Sequence, residues 1–323
     1  MSSMTQEFSK FRAYIWPIHR WELKKFLPLL IIYSLICFNY SILRAAKDAL
    51  VITAPSSGAE ALPFIKVWAI LPMAILFTFL FAKLSNKFNI EKVFYIMMGI
   101  FISFFFVFAF VLYPNQDILH PHQLADRLQQ HLPMGFQGFI TIFRNWTFTL
   151  FYVMSELWGT MIMAVLFWGF ANEITSVKEA RRFYAILGVG ANVASICSGQ
   201  ISVFLSKGIT QFSIFTNTQD QWGLSLKLIT SAVVVVGLTT VILFKMSLRK
   251  NFAYLAKSKY LICIAIIVLT YNISMNMIEI VWKDQVKQLY PNPSDCNVYM
   301  GQIMTWMGVI STLLGFVLCG SLI

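Results

Sequence analysis

Residues 93–113 read Val-Phe-Tyr-Ile-Met-Met-Gly-Ile-Phe-Ile-Ser-Phe-Phe-Phe-Val-Phe-Ala-Phe-Val-Leu-Tyr, with Lys92 before them and Pro114 after. This stretch holds no charge and shows no two-residue alternation. At 1.5 Å per residue it makes a helix of about 30 Å, the thickness of a bilayer's hydrocarbon core. In lipid a backbone must satisfy its own hydrogen bonds, so a run of this length means a spanning helix; barrel strands would be shorter and alternating.

Outward from it, seven further runs have the same character: Phe26–Leu43, Phe64–Phe81, Phe139–Phe170, Tyr184–Leu205, Leu224–Phe244, Tyr260–Trp282 and Gln302–Ile323. The run from Phe139 is long enough to tilt or to extend beyond the core. Composition agrees: 58% of residues are hydrophobic, 12% are charged, and the mean hydropathy is +0.69. A soluble domain carries about 25% charged residues, so this chain could not cover a globular surface. The sequence predicts an all-α membrane protein.

Charge sets the expected orientation. One side takes the N-terminal tail and every even-to-odd connection. It holds Lys10, Arg12, Arg20, Lys24, Lys25, Lys83, Lys87, Lys92, Lys178, Arg181, Arg182, Lys245, Arg249, Lys250, Lys257 and Lys259, sixteen of the 25 basic residues, against Glu7, Glu22, Glu91, Glu173 and Glu179. That side therefore carries the whole net charge of +11. The positive-inside rule makes it cytoplasmic, N-terminus included. The basic balance is a topology signal; charge divided among short loops argues against nucleic-acid binding.

Residues 1–25 lack the short apolar core and small-residue site of a cleaved signal peptide. Phe8, Phe11, Ile15 and Ile18 form one face of an interfacial helix with Trp16 and Trp21 at headgroup level, or else the segment is a loose tail. Cys37, Cys197, Cys263, Cys296 and Cys319 form no C-x-x-C pair and read as packing residues. His120, His122 and His131 lie in the largest polar connection, Pro114–Gly138, without the helical spacing of metal ligands. Neither metal nor cofactor is expected.

Helix five carries Gly188, Ala191, Ser195, Gly199 and Ser202 at spacings of three and four, a face that lets another backbone come close. There is also an internal echo. Asn39-Tyr-Ser is followed by Lys47-Asp48, and Asn272-Ile-Ser by Lys283-Asp284. Two parallel repeats of six helices would show this at the start of each half; so would chance similarity in apolar sequence. On the repeat reading the domains are a tail (1–25), a six-helix half (26–250) and the start of a second half (251–323). The chain ends inside an apolar run, which is expected of a fragment or a truncated reading frame.

A charge at the centre of a spanning helix costs about 2.5–3.5 kcal/mol, so embedded charges need a reason. Glu156 lies far from either end of its run and must face a cavity or a basic partner. Glu279 is similar. Arg44, Lys47, Lys66, Arg144 and Lys283 lie within or beside the external halves of helices one, two, four and seven. Lys66 and Arg144 either reach the headgroups or line a cavity. Together these residues describe an electropositive cavity with embedded carboxylates, suited to an anionic solute. No H-E-x-x-H, G-x-S-x-G or complete Walker motif points to an enzyme.

At these residues the chain resembles the ATP/ADP translocase (nucleotide transporter) family of obligate intracellular bacteria and plastids. The stretches that carry the likeness are Leu43–Lys66 (Leu-Arg-Ala-Ala-Lys-Asp-Ala-Leu-Val-Ile-Thr-Ala-Pro-Ser-Ser-Gly-Ala-Glu-Ala-Leu-Pro-Phe-Ile-Lys), Ser155-Glu-Leu-Trp-Gly-Thr160, Phe167-Trp-Gly-Phe-Ala-Asn172, Ala180-Arg-Arg-Phe-Tyr184 and Glu279-Ile-Val-Trp-Lys283. The resemblance implies a twelve-helix, major-facilitator-like bundle, of which this chain covers the first half and about two helices of the second. It implies exchange of ATP for ADP by alternating access, with phosphate as a further solute. It matches the family's functional charges to Lys47, Glu156 and Glu279; a later lysine has no counterpart here. Candidate substrate contacts are Arg44, Lys47 and Lys283, with the echoed Asn39 and Asn272. Glu156 and Glu279 are the coupling carboxylates, and Lys66 and Arg144 are secondary candidates. The expected setting is the inner membrane of a bacterium, or a plastid envelope, with the protein a monomer in lipid. Rival readings are a proton-coupled importer of GTP or UTP, an NAD/ADP exchanger, and a non-transporting fragment or scaffold.

Overall fold

The computed structural model describes residues 16–55, 57–58, 61–212, 220–248, 279 and 281–321. Six helices among them are long and apolar enough to cross a membrane. They are α1 (Leu23–Ile52), α2 (Ala61–Lys87), α3 (Ile90–Leu112), α4 (Trp146–Ile174), α5 (Val177–Phe212) and α6 (Gln221–Leu248). The first six expected runs correspond one to each helix, the fourth only from Trp146 onward. The eighth falls in the helix Pro293–Ser321. Most of the seventh lies outside the described residues, as do the tail residues 1–15 and Asn272.

α1 is the hub, packing against α4, α5, α6 and Pro293–Ser321. Eighteen of its residues are buried, including the run Ala45–Ile52. By contrast, Phe77 alone is buried in Leu71–Lys87, whose Leu71, Ile75, Leu76 and Phe79 face outward. In water such a face would be an association surface; its apolar character suits the interior of a bilayer. Several helix hydroxyls are satisfied within the helix. Thr78, Ser155, Thr239 and Thr240 each donate to the carbonyl four residues back, as a helix in lipid requires.

The interior is aromatic. Phe151 of α4 packs on Phe105 and Phe108 of α3, with ring centroids 5.6 and 4.5 Å apart. Trp158 donates its indole N–H to the Ile36 carbonyl at 3.2 Å, joining α4 to α1. Asn39, wholly buried, donates to the Val233 carbonyl at 2.9 Å and joins α1 to α6.

The long fourth run is not one helix. It breaks at Asn145, whose backbone leaves the helical region (φ −108°, ψ 44°), so that Gln137–Arg144 stands apart from α4. The side chain of Asn145 donates instead to the Pro55 carbonyl, 3.1 Å away in the α1–α2 connection. Hydropathy did not register this break because one polar residue barely moves a window average. Among the described residues three stretches have π-helical winding: Ile65–Ile70 in α2, Phe108–Leu112 in α3 and Trp158–Phe167 in α4. Such wide turns re-aim the side chains beyond them and concentrate at functional sites.

The small-residue face of α5 meets the helix Pro293–Ser321. A Cβ on Gly199 would run into the Gly301 carbonyl and Thr305, and Ser202 accepts a hydrogen bond from Asn297 at 2.9 Å. The contact uses the far half of the stripe; a Cβ on Gly188 would meet nothing within 4 Å. At the basic end the starts of α1 and α5 are clamped. Arg182 pairs with Glu22 at 2.5 Å and Lys25 with Glu179 at 2.8 Å. Residues 22–25 and the start of α5 therefore lie at the same end, as the charge count requires.

Candidate functional site: a buried ion-pair cluster

Lys47 and Asp48 are consecutive on α1. Neighbours on a helix point about 100° apart, yet both side chains are enclosed, 2% and 4% exposed. Two different elements must cover them. α4 covers Lys47: Tyr152 and Glu156, one turn apart and so on one face, bring the Tyr152 ring within 3.8 Å of the Lys47 ammonium and a Glu156 carboxylate oxygen within 2.7 Å. The segment carrying Glu279 and Lys283 covers Asp48. Lys283 Nζ lies 2.8 Å from Asp48 Oδ1 and 3.1 Å from Glu279 Oε1. Asp48 Oδ1 also lies 3.1 Å from Lys47 Nζ, so one carboxylate oxygen bridges two ammoniums.

Glu279 extends the cluster. Arg44, one turn before Asp48, reaches it at 3.4 Å, and Lys66, in the π-helical part of α2, at 3.5 Å. Four cations (Arg44, Lys47, Lys66, Lys283) thus meet three carboxylates (Asp48, Glu156, Glu279), leaving one positive charge in excess. A lone buried charge would cost several kcal/mol; reciprocal pairing removes most of that cost and makes each member depend on the others.

Exposure divides the cluster. Lys47, Asp48 and Lys283 form an enclosed centre. The side chains of Arg44, Glu156 and Glu279 keep 39%, 30% and 23% of their surface, so a solute would meet these three first. Glu156 and Glu279 neutralise the lysines here, and an arriving anion would compete with them.

Of the residues singled out from the sequence, the structure gathers Arg44, Lys47, Lys66, Glu156, Glu279 and Lys283. Lys66 turns inward to Glu279 rather than outward to headgroups. Two lie elsewhere. Arg144 is buried beneath the helix His122–His131, with Asp126 at 2.7 Å and Gln129 at 2.9 Å. Asn39 is committed to the α6 backbone. Asp48 and Tyr152 are the members that sequence reasoning passed over. Asp48 was visible as half of the Lys-Asp echo, but its counterpart Asp284 is half-buried and accepts from Gln288 at 3.0 Å. The two echoed lysines share Asp48 as a partner, whereas the two echoed aspartates differ in theirs.

The polar connection folds as two short helices, Gln116–Leu119 and His122–His131. His120 lies between them, its Nε2 2.6 Å from Thr147 Oγ1. Burial, with His122 beside it, pushes its pKa down to about 4. The ring is thus a neutral docking contact. Cys37, Cys197 and Cys296 are free thiols.

The family model described as TLC ATP/ADP transporter matches residues 1–247 and 242–323. ADP,ATP carrier protein 1 of Chlamydia pneumoniae is 42% identical over 98% of this chain and 66% of the relative. The protein of the same name from Chlamydia trachomatis serovar D is 43% identical over 98% of the chain and 64% of its own length. ADP,ATP carrier protein 1, chloroplastic, of Arabidopsis thaliana is 41% identical over 89% of the chain and 49% of the relative. The chain thus spans about two thirds of the bacterial relatives' length and half of the plant relative's. No solved structure matches it.

Proposed function

The chain belongs to the TLC ATP/ADP transporter family, and from that premise we propose that it is the nucleotide-handling portion of a carrier that exchanges ATP for ADP across a membrane. The observation that carries the reading is the cluster of Arg44, Lys47, Lys66 and Lys283 around three carboxylates, inside a protein of spanning helices. A nucleotide's phosphates would replace Glu156 and Glu279 as partners of these cations. Asp48 would offset one of the two positive charges of the enclosed centre, and Glu156 the other while the site is empty.

The cluster joins residues of α1, α2 and α4 to residues 279 and 283, across the division placed at 250. In this reading residues 26–250 are one half of a major-facilitator-like bundle and 251–323 begin the other. The ion pairs close the halves at one end, and alternating access opens them. Strict exchange follows if a site stripped of carboxylate partners cannot close without an anion. The N-terminus is cytoplasmic and the membrane is a bacterial inner membrane. Phosphate travels as a further solute, and the monomer is the working unit. If ATP⁴⁻ enters as ADP³⁻ leaves, one negative charge moves inward, which costs about 2.3 kcal/mol at 100 mV, negative inside. Nucleotide gradients supply it.

The test is exchange from cells expressing the full-length protein and loaded with labelled nucleotide. Efflux should begin when ATP or ADP is added outside and should be absent in Lys47→Ala cells with equal protein. Efflux indifferent to outside nucleotide would overturn exchange, and undiminished uptake by Lys47→Ala would remove the cluster from the pathway.

A further inference from the structure

Tyr152 is wholly buried, its ring lies under the Lys47 ammonium, and its hydroxyl has no hydrogen-bond partner among the described residues. A buried polar group left unpaired costs about 1–3 kcal/mol, so an idle hydroxyl calls for a reason. Six buried side-chain atoms share this condition among the described residues. Four belong to Asn39, Asn145, Asn297 and Arg144, which bond through another atom of the same side chain. A fifth is the Ser57 hydroxyl, in the connection after α1. Tyr152 alone combines an idle sole polar atom with a place in the ion-pair cluster. Lys283, Asp48 and Glu156 are all within electrostatic reach of it.

A phenylalanine would fill the same volume and offer Lys47 the same aromatic face. Among the described residues of the empty protein the oxygen makes no hydrogen bond. What it adds is one O–H donor among ammonium groups, a combination suited to an anionic oxygen, where the hydrogen bond is charge-assisted. We propose that Tyr152 is a substrate-contacting residue whose hydroxyl donates to a phosphate oxygen of the bound nucleotide while Lys47 neutralises that phosphate. The assignment rests on the nucleotide-carrier reading of the cluster.

The test uses Tyr152→Phe in the full-length protein in detergent. It compares melting without ligand, affinity for ATP from ligand-induced stabilisation, and competition by inorganic tripolyphosphate. Losing a hydrogen bond to a charged group should weaken ATP and tripolyphosphate alike by about tenfold, with ligand-free melting unchanged or raised. Unchanged ATP affinity would overturn the assignment. So would a sharp drop in ligand-free melting, which would show the hydroxyl to be bonded within the protein. A loss for ATP without a loss for tripolyphosphate would move the contact to ribose or base and overturn the phosphate assignment. Wild-type protein that binds no nucleotide would overturn the carrier reading and this assignment with it, whereas wild type binding ATP no better than Tyr152→Phe overturns the assignment alone.

Discussion

Lys283 Nζ lies 2.8 Å from Asp48 Oδ1, both side chains enclosed, across 235 positions of sequence. The same oxygen holds Lys47 at 3.1 Å. Asp48→Ala would take the shared partner from two enclosed ammoniums, leaving Lys47 with Glu156 and Lys283 with Glu279, and is expected to cost about 3–5 kcal/mol. Asp48→Ala combined with Lys283→Met should recover much of that loss, because one under-paired charge goes and Lys47 keeps Glu156. Thermal unfolding of the four proteins of this cycle in detergent checks it; additive losses would show that the two residues do not depend on each other.

Glu156 differs in being partly exposed while pairing with Lys47. Lys47 retains Asp48 when Glu156 is neutralised, so Glu156→Gln should fold and reach the membrane normally. Exchange should nonetheless slow by about tenfold, the effect of about 1.4 kcal/mol at the limiting step. Initial exchange rates normalised to membrane protein measure this. A normal rate would make Glu156 a structural partner only.

Gly199 and Gly188 share one stripe and should behave oppositely. Gly199→Val must push against the Gly301 carbonyl and is expected to cost about 1–3 kcal/mol. Gly188→Ala meets open space and gains helix propensity, up to about 1 kcal/mol. Melting temperatures of the two variants, moving in opposite directions, are the expected result.

The sign of the His120 effect follows from its lowered pKa of about 4, against 6.5 for a free histidine. Above pH 6.5 the ring is neutral whether docked or not. Between 6.5 and about 4 only the undocked ring takes a proton. Docking of the segment around Gln116–His131 should therefore weaken as pH falls through that window and be unaffected above it. Hydrogen exchange of this segment at pH 7.5 and 5.0 reads the change, and His120→Asn should abolish most of the difference.

The spanning helices were legible because hydropathy integrates over some twenty residues, and helices in lipid leave little choice. Glu156 was legible for the complementary reason, a charge with no local excuse. Asp48 was not: beside Lys47 near a helix end, it reads as an ordinary boundary pair, and its second lysine lies far away in sequence. Arg144 was misleading for the converse reason. Its apolar surroundings suggested a cavity, while its partners Asp126 and Gln129 sit in a connection whose short polar helices carry no hydropathy signal. Tyr152 was one of 51 aromatic residues, and nothing in its neighbours distinguishes its hydroxyl.

The π-helical stretch Trp158–Phe167 makes α4 two α-helical pieces set out of phase. The upper piece aims Tyr152 and Glu156 at Lys47. Where the wide turns end, Phe167 stacks on Tyr33 at 4.4 Å, and the lower piece sets Phe170 against Phe244 at 4.7 Å. Each piece can be tailored to its own neighbours, because a residue gained or lost in the stretch between them rotates one against the other. The arrangement is a vernier built into the backbone. It lets the ionic end of α4 be re-aimed without disturbing its aromatic anchorage.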